Sequence, residues 1–204
     1  AGLALAAGAL ANPYIAQNLD GTSAGSFSLR GMTNTILNVD VSGQDSWDGI
    51  SSANNTVLNI DLAAALGLAS GSSVTITSIG WDVNLTTFGG SWLSEARFYF
   101  DDNIAPDLSG LFLGPGAGNS FGGTNVNFAS GGQIDLSDNA IPNIVLANGI
   151  LRLELYETFD DAAGQVDAFW EAGSTLFVGV AEVPAPGAAA VLGLAGLAGL
   201  RRRR

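Results

Sequence analysis

Any chemistry in this chain has to come from carboxylates. The sequence holds 14 Asp and 5 Glu but no histidine, no cysteine and no lysine. Without thiolates or imidazoles there are no disulfides and no Cys–His or Ser–His nucleophile pairs. The usual ligands of zinc, copper and haem are missing too. Carboxylates leave two kinds of work. One is glycoside hydrolysis, which needs two acids roughly 5–10 Å apart across a sugar cleft. Glu95 and Glu154 are the candidates, because both fall on outward faces of expected strands. No catalytic motif frames either, and Arg97 and Arg152 interleave with them as charge balance on a solvated face. The expectation is therefore no enzyme and no catalytic residue.

The second kind of work is holding a hard cation, since calcium takes carboxylate, amide and carbonyl oxygens on turns. The densest cluster is Asp101, Asp102 and Asn103 with Asp107, at the end of a strong strand pattern. Weaker ones are Asp45 with Asp48, Asp135 with Asp138, and Asp160 with Asp161. None matches an EF-hand loop or a nonapeptide repeat, and Asp and Asn are also ordinary turn formers. No cofactor is expected beyond a structural calcium ion, which this composition could hold. For a neutral ligand the candidates are tryptophans. Trp81 shares its phase with Ile79, Val83 and Leu85 and belongs to the core, whereas Trp47 and Trp92 sit in Gly-rich loops where they could stack on sugar rings.

The elements that must position these residues read as short strands. Leu37, Val39 and Val41 alternate with polar residues, as do Leu58, Ile60 and Leu62, then Ala96, Phe98 and Phe100, then Leu151, Leu153 and Leu155, and finally Leu176, Val178 and Val180. One long segment changes phase between Val74/Ile76 and Ile79/Trp81/Val83/Leu85, which predicts a β-bulge near Thr77 or Ser78. Gly89-Gly90 reads as a hairpin turn into Ser91–Phe100. The single internal helix expected runs from Leu62 to Ala69, with Asp61 as its N-cap and Gly71 past its end. Short alternating strands with Gly/Asn/Asp/Ser turns predict an all-β chain: an antiparallel β-sandwich of jelly-roll type.

Length and charge agree with one such domain. The chain has 204 residues, 47% hydrophobic and only 13% charged, which is a folding composition rather than a disordered one. Its net charge of −12 hides an uneven distribution. Arg30, Arg97 and Arg152 stand against all 19 acids, so residues 1–200 carry −16, and Arg201 to Arg204 add +4. A body that acidic excludes nucleic acid as a partner, because a phosphate backbone needs a basic surface.

The two flanks differ from the body. Residues 1–11 are small, apolar and uncharged, and Ala9-Leu10-Ala11 supplies a small-residue cleavage site, so they read as the remnant of a secretory signal peptide without its Met and basic region. Residues 12–182 form the sandwich domain, and 183–204 a third region. There Val183-Pro184-Ala185-Pro186 breaks any helix. Residues 187–200 are wholly apolar, and Arg201, Arg202, Arg203 and Arg204 follow. As a helix, 183–200 would reach about 27 Å, just short of the roughly 30 Å hydrocarbon core. The arginines would stay on the cytoplasmic side.

This order of proline motif, apolar span and arginine run resembles the PEP-CTERM sorting signal of Gram-negative bacteria, read by the membrane protease-transpeptidase exosortase. Pro184 and Pro186 match the two prolines, while Ala185 stands where the family most often has Glu. The resemblance implies an exported protein. It would be held transiently in the inner membrane, processed by an exosortase-type partner, and released to the envelope or an extracellular polysaccharide matrix. Such tails sit on many unrelated passenger domains, so the resemblance implies destination and not activity. The expectation is a non-catalytic cell-surface or matrix protein, with a carbohydrate-binding sandwich as the alternative and a glycan hydrolase behind it.

Overall fold

Strands form where the alternation predicts them, and several more form where three residues are too few to alternate. The computed structural model describes residues 35–161 and 163–181. The expected leader, with Ala9 and Ala11, and the expected tail, with its apolar helix, lie outside the described residues. The strands are β1 (Thr35–Asp40), β2 (Gln44–Ser46), β3 (Thr56–Asp61), β4 (Val74–Thr87), β5 (Ala96–Asp102) and β6 (Leu111–Leu113). They continue with β7 (Val126–Ala129), β8 (Ile134–Asp135), β9 (Ile144–Leu146), β10 (Ile150–Glu157), β11 (Ala168–Trp170) and β12 (Thr175–Val180). Helix is confined to α1 (Leu62–Ala65) and a 3-10 turn at Ser137–Asn139 among the described residues. None of it is long and apolar enough to cross a membrane.

Two antiparallel sheets result. In the first, the order is β1-β12-β4-β11-β2, with β7, β8 and β9 lined up along the opposite edge of the long β4. In the second, it is β3-β10-β5-β6. Inward residues of both sheets share one core. Leu151, Leu153, Leu155, Phe98 and Phe100 come from the second sheet, and Ile79, Trp81, Val83, Trp170, Leu176 and Val178 from the first. Phe98 of β5 and Trp170 of β11 meet across the interface with ring centroids 4.1 Å apart, so the core closes directly between sheets.

The bulge lies where the phase change predicts it. Ser78 pairs with Gly179 and Ile76 with Val180, so Thr77 is the extra residue on β4. Two other expectations need correction. The helix after Asp61 stops at Ala65 rather than Ala69. Asp61 does cap it, its carboxylate accepting from the Ala64 N–H at 2.8 Å. Gly67, at φ +68°, then turns the chain well before Gly71. Gly89-Gly90 does turn, but not into a hairpin, because β4 and β5 belong to different sheets. The segment from Phe88 to Glu95 is a crossover from one sheet to the other.

Candidate functional site

That crossover brings four carboxylates to one corner. Glu157 is the last residue of β10, Glu95 lies directly before β5, Asp167 directly before β11, and Asp161 in the loop between β10 and β11. Backbone bonds tie these strand ends together. The Thr158 N–H donates to the Glu95 carbonyl at 3.0 Å, the Asp167 N–H to the Ser46 carbonyl at 3.0 Å, and the Phe88 N–H to the Asp167 carbonyl at 2.9 Å. Because β2 and β11 belong to the first sheet and β5 and β10 to the second, the corner is a seam between sheets.

Glu157 and Asp167 are fully buried at its base, Glu95 is half-buried, and Asp161 is exposed at the rim. One oxygen of Glu157 accepts from the Ser46 hydroxyl, while Oε2 has no partner. Burial first, then the charges of Asp167, Glu95 and Asp161, push the Glu157 pKa up to about 8, against the lowering pull of Ser46. Asp167 is likewise raised, by burial before all else. The Ser91 hydroxyl and the Asp161 N–H lie near enough to offset part of that rise, yet neither Asp167 oxygen has a hydrogen bond of good geometry. Glu95 accepts from the Trp92 N–H at 2.7 Å. Its pKa is raised by burial and then by Asp161, which stands within hydrogen-bond reach of it. No arginine among the described residues compensates: Arg152 is bound to Glu154, and Arg97 lies against Gly114 beside Tyr156.

The residues singled out from sequence have different settings. Glu95 is brought to Glu157, Asp161 and Asp167, not to Glu154. Glu154 is buried and fully engaged, with Arg152 at 2.7 Å, the Ser51 N–H at 2.6 Å and the Asn55 amide at 2.9 Å. Asp101 accepts from the Tyr99 hydroxyl and from the Asp102 and Asp107 N–H groups. Asp102 accepts from the Ile104 and Ala105 N–H groups, and Asp107 from that of Ser109. Asn103 accepts from the Asn148 amide. These four thus serve the turn between β5 and β6. Asp48 likewise binds Ser52 and Asn54, and Asp135 binds Ser137 and Asp138.

Trp47 is half-buried, and Trp92 is 44% exposed. Trp92 has company: Phe88, Phe121 and Phe159 are also exposed. The loops carrying the first three are bonded together, Ser91 N–H to the Phe88 carbonyl and Leu93 N–H to the Phe121 carbonyl. Phe159 follows Thr158, which is bonded to Glu95. Four exposed aromatics are therefore carried on segments tied by backbone bonds to those of the acidic corner. A separate open pocket of about 460 Å³ lies on the outer face of the first sheet, lined by Ile36, Asp82, Ser130, Gln133 and Phe177 among others.

No family model matches this chain, and no curated protein matches it. Among solved structures, it is similar to those of infectious bursal disease virus Gt strain (TM-score 0.36, 15% identity) and Gx strain (TM-score 0.35, 16% identity). Each alignment covers 76% of this chain and 34% of the viral one, so the chain spans about a third of their length. A likeness that weak carries nothing about function.

Proposed function

We propose that this is an exported, non-catalytic protein of the cell surface or extracellular matrix, delivered through a PEP-CTERM-like tail. The observation that carries the reading is the order within 183–204: Pro184 and Pro186, fourteen apolar residues, then four arginines. The body supports it. Its chain passes repeatedly between two antiparallel sheets, as a jelly roll does. Its charge of −16 ahead of the arginines suits a hydrated polymer setting. The acids best placed for catalysis offer little to a substrate, since Glu157 and Asp167 are buried and Glu154 is held by Arg152. The test is mass spectrometry of the mature protein from a Gram-negative host that carries an exosortase. A product beginning near Asn12 and ending near Pro184 supports both processing steps. Intact Arg201–Arg204 in the envelope fraction counts against them.

The exposure of Trp92 favours a second reading, a carbohydrate-binding sandwich with that residue as the stacking platform. Affinity electrophoresis through gels containing acidic and neutral polysaccharides tests it. Retardation lost in Trp92→Ala supports sugar binding, and unretarded migration through every polysaccharide eliminates it.

A further inference from the structure

The chain enters and leaves the sandwich at one end. Thr35, the first residue of β1, pairs with Val180, the last of β12, and the Ala181 N–H then donates to the Thr75 carbonyl at 3.0 Å near the start of β4. Three turns gather at that end. The β9–β10 turn follows Leu146, which pairs with Val74. Its Asn148 amide donates to Asn103 in the β5–β6 turn at 2.9 Å, and its Gly149 carbonyl accepts from the Leu62 N–H of α1 at 2.9 Å. What β9 and these turns show to solvent is aliphatic. Ile104 is 61% exposed and Val145 60%, Leu108, Ala64 and Ala65 are exposed too, and residues 62–73 carry no charge. The exposed aromatics Phe88, Trp92 and Phe121 lie at the other end, around Thr87, whose N–H donates to the Gly123 carbonyl at 2.8 Å.

We infer that the aliphatic end is the surface on which the body meets lipid while the tail is in the membrane, with the aromatic end turned away from the bilayer. This rests on the tail reading proposed above and adds an orientation to it. Residues 181–186 separate β12 from the apolar run and, fully extended, reach about 20 Å. From Thr75 to Thr87, β4 is roughly 40 Å long. The tether is therefore too short for the body to stand on its aromatic end, although aromatic side chains are the ones a membrane interface favours. It is short enough to hold Val145, Ile104 and Leu108 against the headgroups, where removing exposed aliphatic surface from water is favourable. Asp61 and Asp107 stand exposed on the same turns, so the contact is with zwitterionic rather than anionic lipid.

The chain has no cysteine, so a single introduced cysteine carries a fluorescent label without background. The full uncleaved chain is reconstituted in phosphatidylcholine vesicles with and without bromine on the acyl chains. Labels in Ile104→Cys and Val145→Cys, both at exposed positions, lose emission to the bromine. Labels in Phe121→Cys and Phe159→Cys, exposed at the other end, keep it. Leu194→Cys, within the apolar run, reports the tail by itself. Quenching at Leu194 without quenching at Ile104 and Val145 overturns the orientation and leaves the tail reading standing. Equal quenching at Phe121 overturns it as well, because the body then lies on its side. A Leu194 label untouched by bromine overturns the tail reading, and the orientation with it.

Discussion

Glu157 should make the protein less stable as pH rises. Its pKa is about 8 in the fold against an ordinary 4.5, chiefly from burial and then from Asp167, Glu95 and Asp161. The folded state therefore keeps a proton through a window in which the unfolded chain has released it. Stability from this group is fully present below about 4.5 and is lost as pH climbs through 8. At about 1.4 kcal/mol per pH unit, ionising Glu157 costs roughly 5 kcal/mol, a large share of the 5–15 kcal/mol typical of a domain. Asp167 and Glu95, also raised, act in the same direction. The chain has no histidine, so no side chain with an ordinary pKa in this window confuses the slope. Urea unfolding followed by tryptophan fluorescence at half-unit steps from pH 5 to 9 measures it. Glu157→Gln keeps the acceptor for Ser46 and cannot ionise. It should match the wild type at pH 5 and exceed it by several kcal/mol at pH 9. A flat or rising wild-type profile, or an undiminished slope in Glu157→Gln, refutes the reasoning.

Two further perturbations test the frame around the corner. Arg152→Met leaves the buried Glu154 without its ion-pair partner and should cost about 3–5 kcal/mol. The double change with Glu154→Gln should recover part of that loss in a urea-unfolding cycle, and full additivity would contradict the pairing. Gly110→Ala should cost about 3 kcal/mol or more, because a Cβ there would stand 1.9 Å from the Phe100 carbonyl oxygen, a backbone atom that cannot step aside. Unchanged stability by circular dichroism melting would mean that the approach of β6 to β5 is wider than this.

Much of the fold is legible in the residues because burial on one face writes a period of two. Leu151, Leu153 and Leu155 identify β10, and the shift from Ile76 to Ile79 locates the bulge at Thr77 to within one residue. What alternation cannot supply is sheet membership. Gly89-Gly90 marks a change of direction, but whether the next strand pairs with the last or crosses to the other sheet depends on partners far away in sequence. Strands of two or three residues, such as β2, β6 and β8, are invisible for a simpler reason: they are held by their neighbours and never complete a period.

The site divides along the same line. Asp101, Asp102 and Asp107 form the densest acidic run in the body, and density drew them forward as metal ligands. Their partners, N–H groups and the Tyr99 hydroxyl, lie no more than six residues away, so their turn role is a local matter. The corner draws on positions 95 to 167, and no window of sequence holds it. It left one trace. Glu154 lies on the outward phase of β10 with Arg152, but Glu157 continues the inward phase of Leu151, Leu153 and Leu155. A carboxylate on the apolar side of a strand must be buried, paired or past the edge of the core. Read that way, the informative acid of β10 is the one out of place in the pattern, and Glu95 finds its partner three residues beyond Glu154.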